Sequence, residues 1–238
     1  MIIERPSVAR GRARTDWLDS RHTFSFGHYH DPKWMGFGPL RVINEDRVAP
    51  GGGFATHHHA NMEILSYVLS GALAHRDSAS GSDGVIRAGE LQWMSAGHGI
   101  DHSEFNASKA EPVHFLQIWL QPDRVNAAPA YAQRAFDPAA RRARWAVLAS
   151  PDGSEGSLAI RQQARLLATS LAAGEAVEFK PDAARRYWLH VAQGAVDVDG
   201  RTLSAGDAIG FVEETTAHRI VGGDAASPAD VLLFDLPV

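Results

Sequence analysis

The chain has 238 residues, 45% of them apolar and 21% charged, a globular mixture with room for two domains of ordinary size. Its 23 basic and 28 acidic side chains leave a formal net charge of −5, so it lacks the basic field that nucleic acid binding needs. It has no cysteine, which excludes disulfides, thiolate metal sites and cysteine nucleophiles.

Along the chain, Met1 to Trp17 is interrupted by Glu4, Arg5, Arg10, Arg12 and Arg14 and reads as no secretory leader. No apolar run reaches the roughly 18 residues of a spanning helix, and the expected location is the cytoplasm, away from membranes. Short apolar or alternating stretches predict strands at Leu40–Asn44, Glu63–Leu69, Ala72–His75, Leu91–Met94 and His114–Leu120. Turn residues punctuate them, among them Pro50 to Gly53, Ser70-Gly71 and Ala88 to Glu90. From Gln121 to Arg144 the composition turns polar and rich in Ala, Pro and Arg, which predicts a linker with a short helix. The clusters Arg141, Arg142, Arg144 and Arg185, Arg186 read as solvated loops.

The second half repeats this texture. Strands are expected at Leu158–Arg165, Ala176–Phe179, Tyr187–Ala192, Ala195–Val198, Ala208–Val212, His218–Val221 and Val231–Leu236. Tyr67 to Leu73 resembles His190 to Val196, and Ala88-Gly89-Glu90 resembles Ala205-Gly206-Asp207, as a duplicated β unit would leave them. Many short strands between turns predict an all-β sandwich or barrel.

The chemical signal lies in two i, i+2 pairs. His57 and His59 flank His58 after a Gly-rich turn, and His102 and Glu104 follow a second Gly-rich segment. In a strand, side chains two apart share a face, so each pair can present both donors to one point while His58 turns away. Imidazole and carboxylate donors together suit Fe, Mn, Ni, Cu or Zn. Glu63, an even four residues after His59, competes with Glu104 for the fourth position, and spacing does not choose between them. His58, His75, His98 and His114 read as structural or supporting. Neutral imidazoles are required, so affinity is expected to fall below about pH 6.

Gly51, His57, His59, Glu63 and Gly71 resemble the first cupin motif, and Gly89, Gly97, His102 and Asn106 the second, with Ser95 for the usual proline and two extra residues before the histidine. The resemblance narrows to the pirin-like bicupins through Trp17–Ser20, His22–Phe26, Leu40–Asn44, His59–Gly71, Met94–Gly97, Gly99–Glu104 and Gln117–Trp119, with Leu233–Pro237 at the end. The bacterial quercetinase branch is the nearest in motif and length.

That resemblance implies two jelly-roll cupin domains, taken as residues 1–133 and 134–238, with one divalent transition metal in the first. Its ligands would be His57, His59, His102 and Glu104, which leaves Glu63 a supporting role. Fe comes before Mn, Ni, Cu or Zn. The implied activity is dioxygenase opening of a flavonol such as quercetin with release of carbon monoxide. Glu104 would be the catalytic base, a small aromatic substrate and dioxygen the partners, and Phe26, Met35 and Met94 candidate pocket walls. The alternative is a pirin-type metal-binding regulatory or interaction protein. Shifting the repeat places Lys180 and Asp182 opposite His57 and His59, and His218 opposite His102, so no metal is expected in the second domain.

Overall fold

The computed structural model describes residues 1–79, 83–224 and 226–238. Two compact units divide them, one of residues 11–136 with 160–162, the other of residues 1–10, 137–159 and 163–238. In each unit a seven-stranded sheet is accompanied by a four-stranded one, the all-β architecture that the turn-punctuated strands predict, built twice as the resemblance to the bicupins implies.

In the first unit the large sheet runs in the order Ala130–Ala135, Glu90–Ser95, Glu63–Ser70, Val113–Leu120, Leu40–Val48, Leu18–His22, Gly11–Arg14. The smaller sheet is Gly53–His59, Ile100–Asn106, Ala72–Asp77, Asp83–Arg87. Glu63–Ser70 and Val113–Leu120 lie mid-sheet and are buried almost throughout, which is why they are continuous apolar runs instead of alternating ones. Val48, Val68, Leu73, Ile86, Val113 and Phe115 form one core cluster, and Ile64, Met94, Ala96 and Ile100 a second.

Three expectations change. The stretch after Gln121 is more than a linker: Ala130–Ala135 adds an edge strand along Glu90–Ser95, and the short helix expected there is one 3₁₀ turn at Pro138–Arg141. A cut at residue 133 also differs from the observed units, because Ile2–Arg5 pairs with Ala208–Val212 in the second unit's sheet. Leu158–Arg165 is not one strand. Leu158–Ala159 forms a two-residue parallel pairing, and a new strand begins at Arg165.

The second unit's sheets follow the same plan, seven strands from Ile2–Arg5 to Leu158–Ala159 and four from Ala176–Phe179 to Arg201–Ser204. The repeated turns match in backbone conformation. Gly71 and Gly194 have φ of 77° and 74°, and Gly89 and Gly206 have 84° and 87°, a left-handed region that only glycine enters freely. Three of the clustered arginines are ion-paired, Arg141 with Asp230, Arg142 with Glu175 and Arg185 with Asp235, and Arg185 and Arg186 open the strand Arg185–Gln193 instead of lying in a loop. Among the described residues, no helix is long and apolar enough to cross a membrane.

Candidate metal centre

Gly53–His59 and Ile100–Asn106 are neighbours in the small sheet of the first unit, with His102 directly opposite His57. Alternation along Gly53–His59 leaves His57 and His59 half-buried on one face and His58 exposed on the other. His58 Nδ1 there donates to Asp101 Oδ1 at 2.9 Å. Along the opposing strand His102 and Glu104 are both buried and the residues between and beside them are less so. The register shifts between His102 and Glu104, so that Glu104 faces Phe54. The strands are close at this bulge: a Cβ on Gly53 would lie 2.4 Å from the Glu104 carbonyl oxygen, so no side chain fits there.

The three imidazoles converge. Ring centroids are 4.8 Å apart for His57 and His59, 4.4 Å for His57 and His102, and 4.9 Å for His59 and His102. One ring nitrogen from each lies within 4.8 Å of the others. His57 Nδ1 donates to the Ala55 carbonyl at 2.8 Å, which leaves the Nε2 lone pair free. Both nitrogens of His102 are buried without a hydrogen-bond partner. Burial and the neighbouring imidazoles lower the pKa of His59 to about 4 and that of His102 to about 2. Three converging imidazoles, two of them held neutral by burial and one of these with orphaned buried nitrogens, are the donor set that a divalent transition metal fits.

Glu104 lies outside that tight group of three but lines the same cavity as His57. It is held from behind. Ser66 Oγ is 3.0 Å from its Oε1, and Gln117 Nε2 donates to its Oε2. Ser66 Oγ also lies 2.8 Å from Gln117 Oε1. Burial raises the Glu104 pKa to about 7, with Asp46 adding to the rise and the Ser66 and Gln117 hydrogen bonds opposing it.

Glu63 is directed elsewhere. It is fully buried and accepts from Trp93 Nε1 at 2.6 Å, from the Arg161 backbone N–H at 3.0 Å, and from Ser95 Oγ. Parity counted from His59 does not carry through, because the strand ends there and Asn61 takes a left-handed φ of 51° that resets the chain.

A cavity of about 190 Å³ opens beside the histidines, with Phe26, Phe54 and Trp119 among its apolar walls and Asn44, Asp46 and Gln117 among its polar ones. Of the expected apolar walls only Phe26 lines it; Met94 is sealed in a core cluster and Met35 is at the surface. His75 is buried with its ring 5.3 Å from that of His102 and stacked on Tyr131 at 5.0 Å. His114 pairs with Glu45, and His98 is exposed.

Sequence reasoning missed a buried polar row. His22 stands opposite Asn44, Asn44 opposite Gln117, Gln117 opposite Ser66, and Ser66 opposite Gln92 across five strands. Its trace in the sequence is a lone polar residue inside apolar runs, as Ser66 in Glu63–Ser70 and Gln117 in Val113–Leu120.

In the second unit the register sets Phe179, not Lys180, opposite His218. His218 is buried against Phe179 and Phe211, with ring centroids 5.3 and 4.5 Å away, and its Nδ1 donates to Asp199 Oδ2 at 2.6 Å.

Residues 5–120 match the family described as Pirin, and residues 147–236 match the family described as Quercetinase C-terminal cupin domain. Over 237 residues the chain is 44% identical to a quercetin 2,3-dioxygenase of Escherichia coli strain K12, covering 100% of this chain and 99% of that one. It is 37% identical over 236 residues to a pirin-like protein of Caulobacter vibrioides, covering 99% of each. The crystal structure of the bacterial pirin YhhW from Escherichia coli in complex with nickel(II) is similar to it with a TM-score of 0.91 and 43% identity, covering 100% of this chain and 99% of that one.

Proposed function

The chain belongs to the pirin family, and from that premise we propose that it is a quercetin 2,3-dioxygenase-like enzyme that opens the ring of a flavonol with release of carbon monoxide. The observation that carries this reading is the convergence of three imidazoles beside a buried carboxyl group and an aromatic-walled cavity. A purely structural metal would need no such cavity.

His57, His59 and His102 would hold one divalent transition metal, with Glu104 as the fourth protein ligand and Fe ahead of Mn, Ni, Cu or Zn. Bound there, the metal would supply Lewis acidity that lowers the pKa of an enolic hydroxyl. Glu104 takes the proton from that hydroxyl as general base. Ser66 and Gln117 fix the Glu104 carboxyl so that it need not reorient when the proton arrives. Phe26, Phe54 and Trp119 pack around the flat ligand and exclude water while dioxygen adds to the ring and the ring opens.

The test is dioxygen uptake and carbon monoxide release by metal-replete protein with quercetin, beside elemental analysis of the metal. Consumption of dioxygen with stoichiometric carbon monoxide supports the reading. Metal-replete protein that consumes none with quercetin overturns it and leaves a metal-binding interaction protein in its place.

A further inference from the structure

Asp46 is a buried carboxyl group with no assigned task. It lies on Leu40–Val48, opposite Ser20 on one side and Phe115 on the other, and is 3% exposed. Ser20 hydrogen-bonds the carboxyl, while Oδ1 has no partner in the structure. Buried side-chain oxygens are rarely left this way, since each gives up water without replacement. Burial and the acidic neighbour Glu45 both make ionisation of the group harder.

The residue lines the cavity beside the histidines, and so does Asn44, two residues earlier on the same face of the strand. His22 Nδ1 lies 2.8 Å from Asn44 Oδ1, so the histidine donates there and the Asn44 amide keeps its own donors for the cavity. Asn44 and Asp46 thus line one wall together, an amide with free donors beside a carboxyl group whose hydrogen-bonding capacity is not filled, and such a pair matches a hydroxyl group, which both donates and accepts. The walls contributed by Phe26, Phe54 and Trp119 match the ring that would carry it.

We propose that Asp46, with Asn44 beside it, positions the ligand by binding a second ring hydroxyl, distinct from the one that Glu104 deprotonates. The site therefore selects polyhydroxylated aromatics over those with a single hydroxyl. This rests on the reading of the cavity as a flavonol site, and extends it to a residue that sets specificity.

The test measures binding, so that it stands apart from turnover. Quercetin and 3-hydroxyflavone, which lacks the other ring hydroxyls, are titrated calorimetrically into metal-loaded wild type, Asp46→Asn and Asp46→Ala. Metal content and thermal midpoint are checked on each variant. Wild type is expected to prefer quercetin by about tenfold or more, and Asp46→Ala to lose about tenfold for quercetin while 3-hydroxyflavone is unchanged, the worth of one buried hydrogen bond. Asp46→Asn, which keeps the shape and a hydrogen-bonding oxygen, should retain part of the preference. That pattern supports the proposal whether or not dioxygen is consumed; binding without dioxygen uptake would overturn only the dioxygenase reading. Equal loss for both ligands in Asp46→Ala, no loss for either, or no binding of either by wild type overturns the role of Asp46.

Discussion

His57 and His102 face each other across an antiparallel strand pair, their rings 4.4 Å apart, although 44 positions separate them in the chain (102 − 57 − 1). Two strands thus bring to one point what neither could assemble alone, and the donor set depends on their register. A double substitution His57→Ala, His102→Ala should abolish metal binding, read by elemental analysis of protein reconstituted with Fe, Mn, Ni, Cu or Zn. Wild type should gain about 2.7 kcal/mol of stability at a free metal concentration of 100 times Kd, and the double variant none, in paired denaturant titrations with and without chelator.

Substitution of Glu104 separates metal retention from chemistry. Glu104→Gln keeps the shape, but puts an amide donor where Gln117 Nε2 or Ser66 Oγ already points. Metal affinity should fall by about 10–100-fold, as when a supporting or ligating contact is lost. The rate of dioxygen uptake at saturating metal should fall by about 10²–10⁴-fold, the range for a missing general base. Retention of the wild-type rate would remove Glu104 from the reaction.

Glu63→Ala should do the reverse. Three donors, Trp93 Nε1, Ser95 Oγ and the Arg161 N–H, lose their shared acceptor inside the protein. The expected cost is about 3 kcal/mol or more in urea unfolding, with metal stoichiometry unchanged in protein that remains folded. Loss of metal from folded Glu63→Ala would reinstate it as a ligand.

Asp46 predicts a pH dependence of stability in the metal-free protein. Burial raises its pKa from 3.8 to about 7, with Glu45 adding to the rise and the Ser20 hydrogen bond opposing it. The folded state therefore holds a proton that the unfolded chain has already released between these values. Stability from this group is fully present below about pH 3.8 and is lost as pH rises through about 7, with a slope of at most about 1.4 kcal/mol per pH unit. Asp46→Asn should remove that share of the slope in denaturant titrations across pH 4 to 7 (the window set by those two pKa values).

Acid release of the metal should occur lower than free imidazole chemistry suggests. The ordinary His value of 6.5 places proton competition near pH 6, but burial holds His59 to about 4 and His102 to about 2. Those two rings stay unprotonated through pH 5, so occupancy at pH 5 should exceed that of an exposed three-histidine peptide, measured by equilibrium dialysis.

The strands and their sides were legible wherever a local pattern is enough. The i, i+2 spacing of His57 with His59 and of His102 with Glu104 put each pair on one face, and the glycine turns at Gly71 and Gly194 marked the duplication. The parity count from His59 to Glu63 failed, because one left-handed residue at Asn61 breaks the alternation that the count assumes. The strand Ala130–Ala135 was hidden for a related reason: as an edge strand, exposed along its second half, it carries no apolar run.

By itself the sequence determined which residue types are available and how they alternate: hard and borderline donors without thiolates, two pairs of same-face donor side chains, and an all-β chain built twice. Local covalent geometry is enough to dictate these. The tertiary structure decided the rest, because cross-strand register is a property of two segments at once. It set His102 opposite His57, joined Asn44, Gln117 and Ser66 into a row behind Glu104, and buried Asp46 beside the cavity with one oxygen unpaired. No single segment encodes those neighbours; they arise when separate strands align their apolar faces against one core.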